Sequence, residues 1–185
     1  MKIKRRRLLS SPTFLLGTIL ALVGSIISFS HGLAEFNQRK EGYFQGTISF
    51  GDSTTHKMRT AEVEVKKASE RGSQNITIIV TDDKTAESVY VKLYNVNDKG
   101  TFFIPGNNAQ KNVGNLVKDI NRYRDINNFY QTILPNEEGL QNGVGRVNIT
   151  KLTDDEVEGE LIIVANNAAG EQAQLSSARF KANIR

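Results

Sequence analysis

Tyr90, Lys92 and Tyr94 form the richest chemical constellation in this chain. They stand two residues apart, with Val91 and Leu93 between them and Val89 before them. Residues two apart share one face of a strand. Two rings flanking an ammonium can stack on a sugar, grip a peptide or receive a partner strand. Tyr123, Phe129 and Tyr130 follow further along and join them as candidate ligand-binding residues. The same residue types also serve cross-strand pairing that only steadies a sheet.

No catalytic set stands beside them. The chain has no cysteine. Disulfides, thiolate nucleophiles and zinc–thiolate sites are therefore excluded. His56 lies in the polar run Thr54-Thr55-His56-Lys57, and the other histidine, His31, sits far upstream. A histidine without a second ligand or a nucleophile is a poor general base. Asp154, Asp155, Glu156, Glu158 and Glu160 make the densest acidic cluster. Calcium needs several oxygens converging from one loop. A hairpin turn followed by the wet face of a strand places acids in the same way. Glycoside hydrolysis needs two carboxyl groups across a cleft, and no pair stands out. The expectation is no metal, no cofactor and no catalytic residue.

The elements that must position these residues have a period of two. Ala61-Glu62-Val63-Glu64-Val65-Lys66 alternates apolar and charged. Similar alternation marks Ile76–Thr81, Val89–Tyr94, Arg146–Thr150 and Val157–Ile163. Such runs are strands with one buried and one wet face. Turn residues separate them at Asp82-Asp83-Lys84, Asn97-Asp98-Lys99-Gly100, Thr153-Asp154-Asp155 and Asn166–Gly170. The short spacing predicts antiparallel hairpins. In the last strand the apolar parity changes between Leu175 and Ala178, which requires a β-bulge near Ser176-Ser177.

One segment follows another rhythm. Val113, Leu116, Val117, Ile120 and Tyr123 fall at helical spacing, with Asn112 as a cap. This predicts one short inserted helix near 113–122. The fold class expected is all-β: an antiparallel meander closing into a sandwich or a flattened barrel, interrupted by that helix.

The N-terminus addresses the chain. Lys2, Lys4, Arg5, Arg6 and Arg7 precede an uncharged apolar run from Phe14 to Phe29, and Gly32-Leu33-Ala34 follows. That is the layout of a signal peptide over residues 1–34, cleaved after Ala34. Residues 14–29 could instead stay as a membrane anchor. Either way the basic flank remains in the cytoplasm. The protein is then periplasmic or secreted, or anchored in the inner membrane with its domain outside the cytoplasm. Residues 35–42 read as a linker and 43–185 as the β domain.

The charge belongs to the leader. The chain has 24 Lys+Arg and 20 Asp+Glu. Removing the five leader cations leaves 19 basic against 20 acidic residues. A nucleic-acid partner, which needs a positive face, is not expected.

Gly145-Arg-Val147-Asn-Ile149-Thr150-Lys151-Leu152, then Val157-Glu-Gly159-Glu-Leu161, then a closing strand with Phe180, follow a Gly100-Thr101-Phe102 run. This order resembles small secreted β-rich domains of unknown function from Bacteroidota, often lipoproteins. The resemblance covers residues 43–185. It implies an extracytoplasmic β domain and carries no catalytic residue. This chain lacks the lipobox cysteine and the early tryptophan of that pattern.

The functional expectation is a non-enzymatic binding or structural module of the cell envelope. Its partner would be an envelope protein, a glycan or a small ligand. One alternative is a carrier holding an apolar ligand inside a barrel lined by Ile76, Ile78, Val89, Val91 and Leu93. A second is a hydrolase of envelope polymers.

Overall fold

The computed structural model describes residues 42–51, 55–59, 61–70, 72–107, 109–122, 124–134 and 142–185. The leader, most of the linker and Tyr123 lie outside the described residues. The rest belongs to one compact unit, Lys40–Arg185.

The described residues form an all-β fold. Its strands are β1 (Gly42–Phe50), β2 (His56–Met58), β3 (Glu62–Glu70), β4 (Ser73–Asp82), β5 (Glu87–Leu93) and β6 (Gly100–Ile104). Then come β7 (Val113–Val117), β8 (Phe129–Gln131), β9 (Val144–Leu152), β10 (Glu156–Asn166) and β11 (Gln172–Asn183). The main path runs β2-β1-β11-β10-β8-β7-β5-β4-β3, and a branch runs from β10 through β9 to β6. Every pairing between these strands is antiparallel. The sheet curls until its last strand meets the chain end. Val65 of β3 bridges Ile184, and Arg185 N donates to Val65 O at 3.0 Å. The result is a curled antiparallel sheet, a partly open barrel.

Turn chemistry explains the hairpins. Between β4 and β5, Asp82 Oδ1 accepts from Lys84 N and Asp82 O accepts from Ala86 N. Between β9 and β10, Thr153 Oγ1 accepts from Asp155 N and Glu156 N. Between β10 and β11, the buried Asn167 accepts through Oδ1 from Ala169 N and Glu171 N. Short polar side chains thus replace ladder partners where the chain reverses.

The interior is one apolar cluster. Ile76, Ile78, Val80, Val89, Val91 and Leu93 from one half meet Ile48, Val157, Leu161, Leu175 and Phe180 from the other. Burying a side chain of this size contributes roughly 1.5–3 kcal/mol. Ile76, Ile78, Val89, Val91 and Leu93 expose 0% of their surface. A void holding even one water would give them accessible area, so the space against these five side chains is filled.

The parity change in the last strand is a bulge. Leu161 pairs with Ala178 and Ile163 with Leu175, so Ile162 faces both Ser176 and Ser177. The β1 register shifts at the same place, between Gln45 and Thr47. Ser177 has φ 51°, a left-handed conformation that a serine adopts only when its surroundings impose it.

The helix expected near 113–122 is corrected. Val113–Val117 is a strand, and Ile120–Arg122 is a single 3-10 turn. The apolar residues fit a central strand because both faces of β7 are covered. Leu116 enters the main core, whereas Asn115 and Val117 are buried on the opposite face. Gly114 lies against Ile104 and Ile163, whose Cδ1 atoms would stand 3.1 and 3.2 Å from a Cβ there. Neighbouring strands on both sides outweigh a local helical rhythm. Asn112 is therefore no helix cap. Its buried amide accepts from Tyr94 N at 2.9 Å and donates to Phe103 O at 2.8 Å, tying the ends of β5 and β6 together.

Candidate functional site

Alternation along β5 sends Val89, Val91 and Leu93 inward and leaves Tyr90, Lys92 and Tyr94 on the outer face, each partly exposed. Lys92 Nζ sits 4.9 Å from the centre of the Tyr94 ring and 3.7 Å from Glu70 Oε1. A cation at this distance is attracted by the ring quadrupole. Burial raises the Tyr90 hydroxyl above its ordinary value, with Lys92 opposing and Tyr94 adding. Burial alone would lower the Lys92 ammonium. The Tyr94 hydroxyl, then Glu70 and Tyr90, outweigh it, and Lys92 ends above its ordinary value. Both shifts keep Lys92 an ammonium and the Tyr90 phenol neutral at neutral pH.

Register extends this face. Tyr90 lies between Ile79 of β4 and Asn115 of β7. Lys92 lies between Thr77 and Val113. Phe129 is half-buried and belongs to the same face, opposite Val117, which pairs with Ser88. Tyr130 does not belong to it. It pairs with Leu116, is 2% exposed and packs on Phe50 with ring centres 5.2 Å apart. Its hydroxyl donates to Glu171 Oε2 at 3.3 Å. Burial, then Glu171, raises that hydroxyl above its ordinary value. One residue of offset turns Tyr130 into core. Two buried amides accompany the tyrosine face. Asn75 is 2% exposed and neither of its side-chain polar atoms has a hydrogen bond. The Oδ1 of Asn115 also lacks one.

The structure joins residues that sequence reasoning keeps apart. His56 Nε2 donates to Glu87 Oε2 at 2.6 Å, and Thr85 Oγ1 donates to the same oxygen at 3.0 Å. Glu87 is almost fully buried. This pair pins β2 to the start of β5 across the fold.

The acidic cluster is tied into an ionic lattice. Lys181 contacts Glu156 and Glu158, and Lys151 contacts the same two. Hydrogen bonds from Lys181, then Lys151, pull the Glu156 carboxyl down to about 2. Lys181 is pushed well above its ordinary value by Glu156 and Glu158. Asp154 meets Lys67 at 3.3 Å.

A concavity of about 290 Å³ opens on the outer face of β1, β9, β10 and β11. Asn148 pairs with Glu160, Glu160 with Arg179 and Arg179 with Gln45, so one row crosses four strands. Arg146 pairs with Ile162 in the next row, and the bulged Ser177 forms the opposite rim. Of these residues sequence reasoning singles out only Glu160, as part of the acidic cluster. Alternation marks Arg146 and Asn148 as wet, but only register brings them to Glu160, Arg179 and Gln45.

No protein-family model matches the chain, and neither a curated protein nor a solved structure does.

Proposed function

We propose that this chain is an exported, non-enzymatic binding module of the cell envelope. Its contact surface is the outer face of β3, β4, β5 and β7, centred on Tyr90, Lys92 and Tyr94. One observation carries the reading: two partly exposed phenol rings flank an ammonium on one sheet face while Val91 and Leu93 are fully buried beneath it. Aromatic rings offer large contact area at little conformational cost. The partner is an extended glycan or peptide of the envelope. The basic, then apolar, then small-residue order of residues 1–34 supports export, and the resemblance to secreted β domains points the same way.

The packed interior favours a surface role over a carrier. An apolar ligand held inside would need room against Ile76, Ile78, Val89, Val91 and Leu93, and those five side chains have none. The hydrolase alternative gains nothing from Glu156. A general acid needs a raised pKa, and this carboxyl is driven the opposite way.

Two measurements test the proposal. Fractionation of an expressing Gram-negative cell, with N-terminal sequencing, should find the protein outside the cytoplasm and starting at Glu35. A cytoplasmic protein starting at Met1 would sink the export claim, and a membrane protein with Met1 intact would favour the anchor. Retention on purified envelope polymers should fall in the Tyr90→Ala/Tyr94→Ala double variant, by a few kcal/mol at most. Unchanged retention with a loss of about 0.2–1 kcal/mol of stability per ring pair would assign the rings to sheet pairing instead.

A further inference from the structure

We infer that the concavity over β1, β9, β10 and β11 binds a small hydroxylated monocarboxylate, such as a sugar acid, with Arg146 as its anchoring cation.

Cavity size and charge make the first argument. At about 290 Å³ the concavity is near the lower end of small-molecule sites, about 300 Å³. It holds two guanidinium groups, Arg146 and Arg179, and one carboxylate, Glu160. Arg179 Nε already donates to Glu160 Oε1 at 3.1 Å. Among the described residues Arg146 has no carboxylate partner. The net charge left over is one positive unit. A monoanion neutralises it, whereas a phosphate dianion would leave an excess negative charge beside Glu160. A guanidinium fork also matches the two oxygens of a carboxylate.

The rest of the lining selects hydroxyl groups. Gln45 and Asn148 can each donate and accept, Ser177 can do both, and Glu160 can only accept. An acceptor-only group needs a donor on the ligand, which a simple carboxylate lacks. Apolar surface stands beside Arg146. Its cross-strand partners are Phe103, 63% exposed, and Ile162, 39% exposed. The C–H face of a sugar ring lies well on an exposed aromatic ring.

The bulge makes the second argument. The register shifts on both sides of Ser176-Ser177 interrupt the ladders at this place, and Ser177 holds a left-handed backbone without being glycine. Bulges re-aim side chains and are over-represented next to functional sites, where strained backbone also clusters. The concavity shares no residue with the tyrosine row, so the two readings stand or fall separately.

The test is isothermal titration of the full chain with D-glucuronate, with D-glucose, acetate and inorganic phosphate as comparisons. Saturable glucuronate binding is expected, about tenfold or more tighter than glucose, which lacks the charge, or acetate, which lacks the hydroxyls. Arg146→Gln should weaken glucuronate by about tenfold or more without moving the melting temperature, because Arg146 is exposed. Glu160→Gln keeps a carbonyl acceptor for the ligand hydroxyls while removing the only negative charge of the lining, so it should act in the opposite direction and tighten glucuronate. A merely structural lesion would not move the two variants apart. Absent saturation, an unaffected Arg146→Gln variant, a weakened Glu160→Gln variant, acetate binding as tightly as glucuronate, or phosphate binding more tightly would each overturn the assignment.

Discussion

Replacing Gly159 by alanine should destabilise the fold, and the structure supplies the magnitude. Gly159 lies in β10 facing the interior, opposite Phe180 of β11 and Ile149 of β9. A Cβ there would stand 2.6 Å from Asn148 O and 2.9 and 3.0 Å from two atoms of the Phe180 ring. The ring can tilt away. The oxygen belongs to the backbone of a strand paired on both sides, so relief requires moving β9. Overpacking of this kind costs about 1–3 kcal/mol. Restricting the unfolded chain returns about 0.4–1 kcal/mol. Taking the middle of both ranges, the net loss is about 1.3 kcal/mol, or a melting temperature lower by about 3–5 °C for a chain of this size. Gly100→Ala is the matched control, because its nearest neighbour to a new Cβ is a Phe102 ring atom at 4.0 Å. Thermal unfolding of the two variants against the parent decides the matter. A Gly159→Ala protein as stable as the parent, or as stable as Gly100→Ala, would refute the claim that backbone contact at this point sets the spacing of β9 and β10.

Further outcomes follow from the same structure. Leu93→Ala should cost about 2–5 kcal/mol in urea unfolding, because its side chain is fully buried, whereas Lys92→Ala on the outer face should stay within about 0.5–1 kcal/mol of the parent. Glu156 has a folded value of about 2 against an ordinary 4.5, so its contribution is complete above 4.5 and is lost as pH falls toward 2. Glu156→Gln should therefore flatten the pH dependence of stability across that window, and an unchanged slope would mean the lysines do not hold this carboxyl. Lys181 works at the other end: its raised value makes its contribution complete below its ordinary 10.5 and lost as pH rises beyond it. His56→Ala should cost about 1–3 kcal/mol, since it removes a donor from the buried Glu87 carboxyl; a neutral effect in thermal unfolding would show that Thr85 suffices.

The legible part of this protein is local. Side chains alternate across a strand by the geometry of the Cβ atom, so Val91 in and Lys92 out can be read from residues 88–95 alone. The bulge at Ser176-Ser177 was readable for the same reason, because a change of buried parity needs one extra residue. Turn residues such as Asp82, Thr153 and Asn167 announced the reversals by chemistry that acts within a few residues.

What tertiary structure alone decided is partner and register. Residues 113–117 carry a pattern that suits a helix and a central strand equally, and the flanking β5 and β8 chose the strand. Tyr130 and Phe129 are neighbours in sequence, yet pairing with Leu116 and Val117 sent one into the core and left the other on the outer face. His56 and Glu87 are 31 residues apart. Gln45, Asn148, Glu160 and Arg179 come from four strands, and a one-residue slip in any of them would turn that side chain to the opposite face. Local geometry determines which residues look outward. Which outward residues share a row depends on the summed packing of strands distant in the chain, and no short window of sequence contains that sum.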